Sequence, residues 1–121
     1  MQAKILKHDA QNEYFFHEGC YINELSNHVQ DPGLSIAQAR VCPGVTTQWH
    51  ALRETTERYL ILSGQGSVEV GDLAAQPVEP GDVVLIPPGT RQRITNTGNA
   101  DLLFLALCTP RFQSRNYQAA D

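Results

Sequence analysis

The chain lacks the features that would mark a membrane, nucleic-acid-binding or disulfide-framework protein. Its longest strongly apolar run, Leu102 to Cys108, is strand-sized, far short of the roughly 20 residues a membrane-spanning helix needs. No lysine- or arginine-rich block occurs and the formal net charge is −4, so neither nucleic acid nor an anionic membrane surface is expected as a partner. Cysteine is scarce: Cys20, Cys42 and Cys108 are odd in number, widely spaced and in no CxxC pair, which signals neither a disulfide framework nor a thiolate zinc site. Cys42 and Cys108 each close an apolar stretch, where a free cysteine ordinarily behaves as a small buried hydrophobe. A thiol near a pocket is the other reading. The opening residues, MQAKILKHDAQNEYFF, carry no long apolar segment and no small-residue cleavage site, so the expectation is a soluble cytoplasmic protein.

Helical periodicity is also scarce, and is met only weakly in the tail after Pro110. What the chain has instead is frequent turn punctuation: Ser63-Gly64-Gln65-Gly66, Gly71-Asp72, Glu79-Pro80-Gly81-Asp82, Pro87-Pro88-Gly89 and Asn96-Thr97-Gly98-Asn99. Between these turns lie strand-length segments at 59–62, 67–70, 83–86, 91–95 and 102–108. Many short strands with regular Gly and Pro breaks predict an antiparallel sandwich or barrel. Upstream, Asp31-Pro32-Gly33 breaks the chain, and Leu34 to Cys42 predicts a strand with a change of phase near Gln38. Tyr14-Phe15-Phe16 and Cys20-Tyr21-Ile22 suit strands at an edge or a subunit contact.

Two stretches concentrate polar residues at fixed spacing. The first runs from Gly44 through His50, Leu52 and Glu57 to Gly64, and the second from Gly81 through Pro87, Gly89 and Gln92 to Asn96. Both read as hairpins aimed at one site. His50 and Leu52, two apart on a strand, share a face, and after the loop 53–56 the alternation puts Glu57, Tyr59 and Ile61 on one side. Gln48 falls on the face of His50. Trp49 should point the other way, into packing against a second layer or a subunit.

This pair of motifs resembles that of the cupins, a family of small double-stranded β-helix barrels of the jelly-roll type. Their first motif reads Gly, five residues, His-x-His, three or four residues, Glu, six residues, Gly; the second reads Gly, five residues, Pro-x-Gly, two residues, His, three residues, Asn. Gly44, His50, Glu57, Gly64, Gly81, Pro87, Gly89 and Asn96 match, while Leu52 and Gln92 stand where histidines belong. The resemblance implies an all-β, one-domain cupin barrel over residues 34–110, with N-terminal strands or an arm at 1–33 and a tail at 111–121. It implies that His50, Leu52, Glu57 and Gln92 line the interior, and that the protein is a homodimer, for which Tyr14–Phe16 is the candidate contact.

In that family the three histidines and the glutamate bind a divalent metal. Here His50, Glu57 and the amide oxygen of Gln92 are the candidate ligands, for Zn, Ni, Mn or Fe at low occupancy, since imidazole is what borderline transition metals favour and Leu52 offers no lone pair. Without metal, a buried Glu57 needs another partner. His50 is the expected one, making a general acid/base pair with Tyr59 as a neighbouring donor. Arg53 and Glu54 are read as solvated charges at the mouth, and His8, His17 and His28 have no metal-ligand spacing. Two functions follow: a cupin that binds a small molecule inside the barrel, or a metal-dependent enzyme, either an oxygenase or a sugar-type isomerase or lyase.

Overall fold

The computed structural model describes residues 1–120. Among these residues eleven strands form two antiparallel sheets that face each other. β1 (Tyr14–Phe16), β2 (Cys20–Ser26), β3 (Ser35–Val41), β10 (Leu102–Thr109), β5 (Thr56–Ser63) and β8 (Val83–Ile86) make up the first, in that order. The second runs β11 (Tyr117–Ala119), β4 (His50–Leu52), β9 (Gln92–Asn96), β6 (Gly66–Val70) and β7 (Gln76–Val78). Strand alternation turns Val41, Ile61, Leu102 and Phe104 from the first sheet and Val68 and Ile94 from the second into one buried core. Among the described residues no helix is long and apolar enough to cross a membrane.

The two motif stretches are not hairpins. β4 belongs to the second sheet and β5 to the first, and likewise β8 and β9 lie in different sheets. Each stretch is a crossing from one sheet to the other, because the short loops after Leu52 and after Ile86 turn a corner rather than fold a strand back on itself. The crossings are tied together where the Gly89 N–H donates to the Leu52 carbonyl at 2.7 Å. The motif residues near the loop ends thereby arrive at the same end of the barrel.

Two other expectations need correction. β3 pairs with β10 in unbroken register from Ser35 to Val41, so there is no change of phase at Gln38. The irregularity lies in the neighbouring strand, where β2 shifts register between Glu24 and Ser26. The tail after Pro110 holds a single 3-10 turn, Ser114–Asn116, and then strand β11 rather than a helix. Tertiary pairing decides this: Tyr117, Gln118 and Ala119 sit opposite Leu52, Ala51 and His50 on β4, whose edge would otherwise be bare.

Candidate functional site

β4 and β9 place His50 directly opposite Gln92, while β5 and β10 place Glu57 opposite Cys108 on the facing sheet. All four side chains are buried. Between the sheets, at the end where the crossings turn, opens a cavity of about 70 Å³ lined by His50, Leu52, Glu57 and Cys108 together with Glu18 and Tyr117. That volume holds several waters or a small organic molecule, and the cavity opens to solvent. Leu52 is buried against it, which makes one wall apolar where the family motif has an imidazole.

His50 is held from two sides. Its Nδ1 lies 2.8 Å from the Gln48 carbonyl oxygen. A carbonyl only accepts, so Nδ1 carries the hydrogen and Nε2 is the nitrogen turned to the cavity. Nε2 lies 3.2 Å from Glu18 Oε2. With its hydrogen on Nδ1, the imidazole sets Nε2 against the Glu18 carboxyl within ion-pair distance.

Glu18 reaches His50 because of its place in the β1–β2 turn. Gly19, at φ +105, gives the turn a backbone conformation that side-chain-bearing residues rarely adopt. The Glu18 carbonyl accepts the Gln48 N–H at 2.8 Å. The backbone of Gln48 therefore binds Glu18 through its N–H and His50 through its carbonyl, and the two side chains close the ring. The exposed side chain of Gln48 takes no part in this ring.

Around the pair the wall is aromatic and sulfur-bearing. The Tyr117 ring stacks on the imidazole with centroids 5.5 Å apart and planes 13° from parallel, and Phe16 meets Tyr117 edge-on at 5.2 Å. Burial, with the Glu18 charge beside it, pushes the Tyr117 phenol above its usual pKa. The Cys20 thiol lies 3.1 Å from Glu18 Oε1; burial, reinforced by Glu18, pushes it far above the normal thiol range. Cys108, which lines the cavity, is pushed up to about 12 by burial and by the Glu57 charge. Both thiols are thus kept protonated and act as weak donors rather than nucleophiles.

Glu57 is paired with Gln92 instead of His50: the Gln92 Nε2 donates to Glu57 Oε1. Burial pushes the Glu57 carboxyl up to about 7, against the lowering effect of His50 and of the Gln92 hydrogen bond. Tyr59, expected as a neighbouring donor, does not line the cavity; it is buried in the core against Phe104, with ring centroids 4.4 Å apart. Trp49 faces away from the site, and its ring is stacked by the guanidinium groups of Arg91 and Arg93 at 4.2 and 4.4 Å.

The donors suggested for a metal are not arranged for one. Gln92 turns its amide nitrogen, not its oxygen, to Glu57, and its buried Oε1 meets no hydrogen-bond partner among the described residues. His50 Nε2 is engaged by Glu18. Among the described residues no three His, Cys, Asp or Glu side chains are grouped to hold a metal ion. As arranged, the set does not fit a divalent cation.

A family model described as a cupin domain matches residues 38–108. The chain belongs to the cupins. An uncharacterized protein of Methanocaldococcus jannaschii is 34% identical over 113 residues, covering 90% of this chain and 90% of its own. The glucose-6-phosphate isomerase of Pyrococcus horikoshii is 38% identical over 63 residues, 49% of this chain and 33% of the isomerase. This cupin thus spans about a third of that curated relative. Among solved structures, a Streptomyces nucleoside dehydratase determined with uridine superposes with a TM-score of 0.78 at 18% identity, over 98% of this chain and 92% of its own. At that identity the likeness is one of fold.

Two site residues lie outside the cupin motifs and outside the sequence-based reading, Glu18 and Tyr117. Glu18 carries one faint signal, its place just before a glycine in a short aromatic segment. Tyr117 carries none, because only the pairing of β11 with β4 brings it over His50.

Proposed function

We propose that this cupin binds a small molecule in the cavity between its sheets and that protein groups, His50 with Glu18 and Glu57 on the facing sheet, move protons on it. The observation that supports this most is the contact of His50 Nε2 with Glu18 Oε2, 3.2 Å apart and lining an otherwise largely apolar cavity. A positioned imidazole with its tautomer fixed is suited to general acid/base work, and a carboxyl titrating near 7 can give or take a proton at neutral pH. The reaction class that such a pair serves is proton transfer at a carbon or oxygen, as in isomerisation or elimination. The nucleoside dehydratase determined with uridine supports a ligand within this type of barrel. No step of the proposal passes through a metal.

We also place the homodimer contact on edge strand β1. Phe15, on the strand face opposite Tyr14 and Phe16, is 60% exposed, an unusual position for a large ring on a free strand edge.

Binding is tested with a panel of polyols, nucleosides and amino compounds, screened by ligand-observed NMR in the presence of EDTA. Members of the panel should bind the parent protein and bind at least tenfold more weakly to Ala106→Leu, in which the added side chain enters the cavity from β10. Circular dichroism and Tm check that the variant is folded. Equal binding to a folded Ala106→Leu variant would place the ligands elsewhere and overturn the proposal.

A further inference from the structure

We infer that the ligand of this cavity is a small organic cation, a primary or secondary ammonium group on a short apolar body. The inference rests on the small-molecule reading above and narrows it to a class. Three carboxylates line the cavity: Glu18 and Glu57 in its depth and Glu24 at its exposed mouth. No lysine or arginine lines it among the described residues.

The carboxylates are satisfied without a strong cation. Glu18 meets the His50 Nε2, Glu57 the amide of Gln92, and Glu24 the amide of Asn27 at 2.7 Å. Arg40 pairs with Glu13 and Asp101, and Arg93 with Glu69, and none of these residues lines the cavity. A phosphate or carboxylate ligand would bring its charge against these acids with no lysine or arginine on the lining to neutralise it, which is unfavourable.

A hydrated metal ion is disfavoured by the dispersed donors. An organic ammonium suits both halves of the wall. Its N–H groups can be accepted by carboxylates, and its carbon body and charge can rest on the faces of Tyr14, Phe16, Phe112 and Tyr117.

The test uses three probes of one shape: isopentylamine, isopentanol and isovalerate. Dissociation constants are read at pH 7 from the backbone amide shifts of Glu18, His50 and Tyr117. The amine should bind at least tenfold more tightly than the alcohol, and isovalerate more weakly than either. Glu24→Gln, an exposed and structurally mild change, should weaken the amine about threefold and leave the alcohol unchanged. An alcohol that binds as tightly as the amine, or a tighter isovalerate, would overturn the cationic class while leaving the binding cavity in place. If none of the three moves these resonances at tens of millimolar, both this inference and the small-molecule reading fall. Equal weakening of amine and alcohol by Glu24→Gln would likewise contradict a role for its charge.

Discussion

Replacing Glu57 by glutamine is expected to stabilise the protein by about 3 kcal/mol at pH 8 and to change little at pH 4. The carboxyl has an ordinary value of 4.5 and is pushed up to about 7 in the fold, chiefly by burial. A raised pKa means that the folded state binds the proton more tightly than the unfolded chain does. The stability linked to this group is therefore complete below 4.5, and is lost as pH rises through 7. Glutamine keeps the shape and can still accept the Gln92 hydrogen bond, but it has no charge to bury. Urea unfolding across pH 4 to 8 should show the parent losing stability toward high pH and the variant losing much less. In thermal unfolding at pH 8 the difference should be roughly 10 °C. A parent whose stability is flat over this range would mean that the Glu57 carboxylate is not buried as described.

The opposite effect, of similar size, is expected of Gly64→Ala. This glycine ends the first motif at φ +88, and a Cβ there would lie 2.6 Å from the Asp101 carbonyl oxygen and 2.9 Å from the Leu102 Cα. Both are backbone atoms of the turn that leads into β10, so they cannot swing aside. The substitution combines a left-handed backbone cost with a clash, and should destabilise by at least about 3 kcal/mol. Gly44, at the other end of the same motif, provides the internal comparison. Its φ is +79 but nothing lies within 4 Å of an added Cβ, so Gly44→Ala should cost only about 1 kcal/mol. Denaturation midpoints at unchanged m-value give both numbers.

These two glycines show why the fold was readable from the chain and the chemistry was not. Gly64 and Asn96 are spaced by the demands of backbone geometry: Asn96, fully buried, donates to the carbonyls of Val41 and Ala100 at 2.8 Å and accepts the Gly98 N–H at 2.9 Å. Such requirements leave a fixed pattern of residue types, and the pattern is visible without coordinates. The interior face carrying His50, Leu52 and Glu57 was legible for the same reason, since alternation along a strand is a local property.

The partners of those residues were not legible. His50 was expected to pair with Glu57, but the β1–β2 turn delivers Glu18 to it across 32 residues of sequence, and Gln92 takes Glu57 instead. Tyr59 obeys the alternation and points inward, yet inward at its level of the barrel means the packed core beside Phe104 rather than the cavity. Tyr117 is recruited by strand pairing at the end of the chain. Each of these depends on distant segments meeting, which periodicity and spacing do not encode.

The account turns on His50 being fixed with its hydrogen on Nδ1 and its Nε2 set against Glu18. Long-range ¹⁵N–¹H spectra of the imidazole at pH 7, for the parent and for Glu18→Gln, test this directly. The account predicts a protonated Nδ1 in both proteins and an Nε2 resonance that changes markedly when Glu18 loses its charge. A bare Nδ1, or an Nε2 resonance that does not respond to Glu18→Gln, would contradict it.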